Sequence, residues 1–320
     1  MHYDIFNGDA DGIFALHQYR LKTPLPPTKL ITGVKRDTCL LAQLNNICNS
    51  TLNVFDISLD SNRSSLLRLL KNNNKITFFD HHSNCDPIQH PGLQAHIDIH
   101  PDICTSLIVN RVFHGQYGLW AICGAFGDNL HKPAIELAHS FHLNEHQIGL
   151  LRQLGELFNY NSYGLVLDDL LFHPQELYKA VKPFTDPFEY LQDSRHIDAL
   201  QTAYQTDLAL AMAQNEMRTS GKNRVFHLPD APWARRITGV YSNIKAREQP
   251  GLAHAILTDN IDGTLRVSVR APLTHQVNAD TLCKLYLSGG GRAGAAGINS
   301  LPKNLLAEFL NKFQSFYPHR

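Results

Sequence analysis

Short apolar runs that end in acidic residues alternate with amphipathic stretches through the first quarter of the chain. His2–Phe6 predicts a strand and Ala10–Lys22 a helix. After a turn at Pro24-Leu25-Pro26-Pro27, the pattern predicts a strand over Lys29–Val34 and a helix near Asp37–Asn46. Thr51–Asp56 reads as the next strand, Ser61–Lys71 as a helix and Lys75–Asp80 as a further strand. Strands that alternate with helices in this way build a mostly parallel sheet with helices on both faces. Ligands of such sheets bind outside the carboxyl ends of the strands. Asp9, Asp56 and Asp80 all fall at or just past such ends.

The pattern changes downstream. Asp102 to Tyr160 is helical, with an apolar run Trp120–Leu130 that contains Gly127-Asp128-Asn129. Residues 161–190 read as irregular because Pro174, Pro183 and Pro187 interrupt them, and Ser194–Met217 reads as a polar connecting helix. Strands are expected at Asn223–His227, Arg236–Tyr241, Leu252–Thr258 and Thr264–Arg270, the last two joined by the turn Asp259-Asn260-Ile261-Asp262-Gly263. A short helix near Ala279–Leu287, a glycine cluster at 288–297 and a helix over Lys303–Phe316 complete the chain. The expected fold is α/β. It comprises an N-terminal domain over 1–192 with a mostly parallel sheet, a helical connector over 193–218, and a smaller α+β domain over 219–320.

Composition narrows the function classes. A chain of 320 residues has room for two cores. Its formal net charge is zero, so no global basic field draws in long nucleic acid, and a phosphate substrate would be small or held locally. The six cysteines, at 39, 48, 85, 104, 123 and 283, form no CxxC pair and read as buried free thiols of a reducing cytosol. No apolar stretch reaches the roughly 18 residues of a membrane span. The chain opens directly on a strand, with no room for a signal peptide, and a cytoplasmic protein is expected.

Three acidic constellations carry the chemistry. Gly8-Asp9-Ala10-Asp11-Gly12 places two carboxylates one residue apart between strand and helix, where they reach two different cations or simply cap a turn; it lacks the third acidic position and closing glutamate of an EF-hand loop. Asp56 follows largely apolar residues, where an unpaired charge costs several kcal/mol, so it either ligates a cation or caps the next helix. Ser58 or Asp60 is available for that cap, and Asp60 is assigned to it. Asp80-His81-His82 is the strongest local pattern: one imidazole binds a metal while a carboxylate fixes its other nitrogen, and the second faces a phosphate or moves a proton. His2, His17, His90 and His96 have no such context. At the other end, Gly289, Gly290, Gly291 and Arg292 could turn backbone N–H groups and a guanidinium toward an anion, with Arg270 as a second contact. Arg235 and Arg236 read as solvated.

Taken together these motifs resemble the DHH phosphoesterase superfamily, with a DHH-associated C-terminal domain of the kind found in short-oligonucleotide exonucleases such as nanoRNases. Gly8–Gly12 resembles the first motif, Asp56 the second, Asp80-His81-His82 the third and Gly127-Asp128-Asn129 the fourth. Val267–Arg270 and Gly289–Gly297 resemble the terminal strand and glycine motif. The resemblance implies an N-terminal metal domain, a C-terminal substrate domain and a cleft between them. It implies two divalent metal ions as cofactor, Mn²⁺ before other ions, bound by Asp9, Asp11, Asp56, His81 and Asp128, with Asp56 as the bridge. Asp80 would orient His81, His82 would contact the scissile phosphate, and a hydroxide activated by the two metals would attack phosphorus.

Two positions depart from the family pattern. Asn7 stands two residues before Asp9, where many relatives have a histidine ligand, and Arg292 replaces a histidine at the end of the glycine triplet. The expected activity is metal-dependent hydrolysis of short oligonucleotides or linear dinucleotides to mononucleotides. Cyclic-dinucleotide hydrolysis, pyrophosphatase or polyphosphatase activity, and nucleotide binding with weak catalysis are the alternatives. The expected partner is a small nucleotide or short oligonucleotide, with no long nucleic acid and no membrane. The sequence leaves open whether the chain is a monomer or a homodimer.

Overall fold

Alternate residues of the first strands bury to opposite sides. Ile5, Leu52, Val54, Ile76 and Phe78 join one apolar cluster. Phe55 and Phe79 stack on the other side at 5.4 Å between ring centroids, with Tyr19 edge-on to both. This period of two, with both faces covered, is what makes parallel strands read as nearly continuous apolar runs. The computed structural model describes residues 1–25, 28–82, 86–192, 194–217 and 219–318. Pro26, Pro27, Cys85 and the outer residues of the expected connector, 193 and 218, lie outside that description.

β1 (His2–Phe6), β2 (Lys29–Ile31), β3 (Thr51–Phe55), β4 (Lys75–Asp80) and β5 (Leu93–Ile97) form one sheet in the order β2-β1-β3-β4-β5. Every neighbouring pair is parallel. α1 (Ala10–Lys22) packs over one face, where Tyr19 meets the phenylalanines, and α2 (Leu59–Lys71) buries Leu66 and Leu69 against the other. Asp9 caps α1 by accepting the Gly12 N–H at 3.0 Å. Ser58, not Asp60, caps α2; Asp60 pairs instead with Arg63 one turn on. The α/β class expected from the sequence is the observed one.

The helices that follow are α3 (Thr105–Val112), α4 (Gly118–Gly127), α5 (His131–Ser140), α6 (Glu145–Ser162), α7 (Pro174–Val181), α8 (Pro187–Gln192) and α9 (Arg195–Met212). The stretch read as irregular therefore contains α7 and α8. Pro174 and Pro187 open those helices at first-turn positions, where proline's missing N–H costs nothing. Conversely, the helix expected near 37–46 shrinks to a single 3₁₀ turn at Leu40–Gln43, and β2 stops at Ile31. Leu40, Leu41 and Leu44 bury there, and Asn46 at φ 57° cannot continue a right-handed helix.

The chain divides into two compact units, Met1–Thr202 and Ala203–Arg320, with the boundary inside α9. In the second unit, β6 (Arg224–Leu228), β7 (His254–Asp259), β8 (Leu265–Arg270), β9 (Gly289–Arg292) and β10 (Ala295–Leu301) form a mixed sheet, β6-β7-β8-β10-β9. α10 (Pro232–Glu248), α11 (Ala279–Cys283) and α12 (Leu306–Phe316) accompany it. Val225, Leu257, Val267, Val269, Ile298, Phe309 and Phe313 form its core.

Two expectations fail in this unit. The strand expected at Arg236–Tyr241 is the middle of α10: Pro232 starts a helix, and Ala234, Ile237, Thr238 and Tyr241 bury on helical spacing. Arg235 and Arg236, read as solvated, are buried. Arg236 pairs with Asp207 at 2.9 Å and Arg235 pairs with Asp230. Cys104, Cys123 and Cys283 are buried thiols, whereas Cys39 and Cys48 are exposed. Among the described residues, no helix is long and apolar enough to cross a membrane.

Candidate metal centre

The carboxyl ends of β1, β3 and β4 deliver Asp9, Asp56 and Asp80-His81-His82 to one edge of the first sheet. Asp56 turns there through a left-handed conformation, φ 59°, which aspartate tolerates better than most residues. Its N–H donates to the Phe79 carbonyl at 3.0 Å, and its Oδ1 accepts from Thr105 Oγ1 at 3.0 Å. His81 Nε2 lies 3.4 Å from Asp56 Oδ1 and 3.6 Å from Asp128 Oδ2. Asp128 arrives from the C-terminal end of α4. The structure thus gathers Asp9, Asp11, Asp56, Asp80, His81, His82 and Asp128 in one place.

Hydrogen bonds fix both imidazoles, and not as expected for Asp80. His81 Nδ1 faces the Ile103 carbonyl at 3.0 Å. A carbonyl only accepts, so Nδ1 carries the proton and Nε2 is the nitrogen turned to Asp56. Asp80, expected behind His81, instead holds His82: its Oδ1 accepts from the His82 Nδ1 at 2.6 Å and the His82 N–H at 3.0 Å. Its Oδ2 takes the Leu59 N–H at 3.0 Å. The Ile103 carbonyl draws His81 toward the segment before α3 and leaves Asp80 to His82, two residues on. Asp11 is also partly committed. Its two oxygens accept the N–H groups of Thr105 at 2.8 Å and Ser106 at 2.7 Å, which caps α3 from outside that helix.

Lys35 also stands among these carboxylates, a cation that the acidic motifs do not announce. Its Nζ pairs with Asp9 Oδ2, lies 3.0 Å from Asn159 Oδ1 and 3.5 Å from Asp128 Oδ1. Lys35 follows β2 and so belongs to the same sheet edge. A search of that edge for basic as well as acidic residues would have found it; Asn159, mid-helix in α6, carried no such signal.

The electrostatics follow from four buried or half-buried carboxylates facing one ammonium and one imidazole. Burial, then the charges of Asp11 and Asp9, holds the Asp56 carboxyl well above the usual range. Burial also raises Asp128, against the pull of Lys35. Burial works to raise Asp9 too, but the charge and hydrogen bond of Lys35 keep it below its ordinary value. Burial disfavours a charged His81, yet its hydrogen bond and attraction to Asp56 push it up to about 10.

Asp56, His81 and His82 each present a donor atom, and these atoms lie within 4.8 Å of one another. A mixed carboxylate and imidazole set of this kind suits Mn²⁺, Fe²⁺, Co²⁺ or Zn²⁺. The residues therefore fit a divalent cation at Asp56 and His81, with His82 and Asp128 beside them.

The substrate residues proposed from the sequence belong to the second unit. The glycine cluster is no loop: Gly289–Arg292 is β9, the edge strand paired with β10. Gly289 lets the chain pass the Cys283 carbonyl, where a Cβ would come within 1.7 Å, and Gly291 adopts φ 138°. Across the sheet, Arg292 pairs with Ala295 and Ala295 with Arg270, so the two arginines flank a small residue on one face. Gly290, Gly297 and Ser268 form the next row of that face. Arg270 is already engaged by Asn243 Oδ1 at 2.8 Å and Ser268 Oγ at 3.0 Å, while Arg292 is exposed.

No family model matches the sequence, and no curated protein matches it. Solved structures do match. The exonuclease RecJ bound to manganese superposes with a TM-score of 0.63 at 13% identity, over 99% of this chain and 89% of that one. The DHH domain of a protein described as a member of the s1p family of ribosomal proteins gives 0.60 at 11% identity, over 98% and 86%. The pGpG-specific phosphodiesterase PggH from Vibrio cholerae gives 0.56 at 10% identity, over 99% of both chains. At these identities the likeness shows the fold alone: the chain shares the fold of RecJ, of this DHH domain and of PggH.

Proposed function

We propose that this chain is a metal-dependent phosphodiesterase that hydrolyses short oligonucleotides or linear dinucleotides to mononucleotides. The observation that carries the reading is the surplus of buried carboxylate at Asp56 and His81, on a fold shared with RecJ and PggH. Asp56, His81 and Asp128 would hold the cation. A divalent ion bound there polarises a phosphoryl oxygen and makes a water nucleophilic near neutral pH.

The chain's own groups supply the rest. His81 keeps its Nδ1 proton on the Ile103 carbonyl and offers Nε2 as donor. His82, anchored through Nδ1 to Asp80, would turn Nε2 to the scissile phosphate. In the second unit, Arg292 and Arg270 flank Ala295 on a face floored by glycines, a surface low enough for a nucleotide phosphate to approach both guanidinium groups.

Linear substrates are favoured by the fold shared over 99% of both chains with a pGpG-specific enzyme. The zero formal net charge speaks against long strands. The test is chromatography of products after incubation with Mn²⁺ and a linear dinucleotide, a short RNA, a cyclic dinucleotide or pyrophosphate. Mononucleotides from the linear substrates, lost in Asp56→Asn, are expected. Orthophosphate from pyrophosphate alone would replace the reading with a pyrophosphatase, and tight nucleotide binding without turnover would make the chain a binding protein.

A further inference from the structure

We infer that the Lys35 ammonium takes the place of one divalent cation, so that the centre holds a single metal ion beside a fixed lysine. The inference rests on the phosphodiesterase reading above. A two-ion centre needs two cations about 3.5–4 Å apart, each with donors beyond the shared one. Asp56 Oδ1, His81 Nε2 and one oxygen of Asp128 form one donor group. The donors on the far side are Asp9 and the second oxygen of Asp128, and both face Lys35 Nζ. Asn159 Oδ1 at 3.0 Å completes three acceptors for the three N–H bonds of one ammonium.

The lysine is not a loose surface chain that swings away to admit a metal. Its side chain is only a quarter exposed. Its N–H donates to the Ser162 carbonyl at 3.0 Å, and its carbonyl accepts from Asn7 Nδ2 at 3.0 Å. Asn7 is engaged at both ends, since its Oδ1 takes the Asp9 N–H at 3.2 Å. Asn7 therefore positions the lysine and the aspartate together and has no donor turned toward an ion. A residue that could have ligated a second metal serves instead to hold the ammonium against Asp9.

The test is metal counting, with the spectrum of the bound ion as a second readout. Purified chain saturated with Mn²⁺ and freed of excess is assayed for metal per chain, and its paramagnetic resonance spectrum is recorded. One ion per chain with the hyperfine pattern of an isolated ion is expected. Lys35→Ala is expected to bind two ions and give an exchange-coupled spectrum, because Asp9 and Asp128 are released. Should Lys35→Ala fail to fold, Asp9→Asn decides the matter together with the unmodified chain: it retains its single ion, since Asp9 holds lysine and not metal. Two coupled ions in the unmodified chain would overturn the inference and leave the phosphodiesterase reading standing. So would a Lys35→Ala chain that still binds one ion, or an Asp9→Asn chain that loses its ion. A chain that binds no Mn²⁺ in any form would remove the phosphodiesterase reading itself, and this inference with it.

Discussion

Asp4 and Asp9 lie on one short segment, both buried and both paired with a cation from elsewhere in the chain, yet their surroundings differ in kind. Asp4 sits within β1. Its oxygens accept from Arg20 Nε at 2.8 Å and from Arg20 Nη2, from Thr28 Oγ1 at 2.9 Å and from Asn53 Nδ2 at 3.0 Å. The donors fill both oxygens of one carboxylate, and nothing is left over for a ligand. Asp9 sits just past the strand end, where its lysine also faces Asp128 and where Asp11 and Asp56 crowd in. There the carboxylates outnumber the cations. A closed buried pair holds structure and breaks badly when one partner is removed. An open one, still short of positive charge, is a place for chemistry.

The largest effects should separate these two clusters cleanly. Asp56→Asn is expected to reduce turnover by ~10³-fold or more, because removing a metal ligand forfeits several kcal/mol of charge stabilisation. The stability of the metal-free protein should change far less in that variant, since the lost His81 partner is offset by the removal of one surplus buried carboxylate. Asp4→Asn should do the reverse. Leaving the Arg20 guanidinium buried without its carboxylate costs about 3–5 kcal/mol in denaturant unfolding, with turnover per folded molecule unchanged. If Asp4→Asn destroyed activity in a fully folded protein, the distinction between closed and open clusters would fail.

A smaller effect sharpens the account of the open cluster. Asp80→Asn keeps the shape but supplies the wrong hydrogen-bonding partner to His82, and is expected to cost about 10–100-fold in activity or metal affinity. The loss should appear mainly in kcat and its pH profile. A change confined to KM would mean that Asp80 serves only to anchor the Leu59 N–H and the α2 terminus.

The smallest is a pH effect on the metal-free protein. The His81 imidazole is pushed up to about 10 in the folded chain, above its ordinary value near 6.5. The folded state therefore holds a proton that the unfolded state releases between these values. That stabilisation is complete below pH ~6.5 and disappears as pH rises through about 10. His17, buried against the Phe184 carbonyl, is pushed down to about 4 and carries the opposite sign: its contribution is lost as pH falls from ~6.5 through about 4. Thermal melts across this range should show both limbs, and His81→Gln should flatten the alkaline one.

Much of the site was legible because its carboxylates and imidazoles stand at the ends of strands with strong apolar patterns. Asp9, Asp56 and Asp80-His81-His82 needed only the rule that ligands gather at the carboxyl edge of a parallel sheet. What escaped notice depends on tertiary contact. Lys35 follows β2 by sequence but acquires its meaning from Asn159, far along the chain in α6. The exchange of Asp80 from His81 to His82 is decided by the Ile103 carbonyl, which no local pattern announces. β5 was missed because it is an edge strand with little buried surface. In α10, Ile237, Thr238, Val240 and Tyr241 favour a strand locally, and the helical burial of Ala234, Ile237 and Tyr241 overrides that preference.

The most direct single measurement is isothermal titration of Mn²⁺ into the metal-free protein near pH 7, in two buffers of different ionisation enthalpy. An ion that binds at Asp56 and His81 must displace the proton His81 carries there, so the two buffers should differ by the heat of about one proton released per ion bound. Binding with equal heats in both buffers would place the metal away from His81 and contradict the assignment of this cluster as the metal centre.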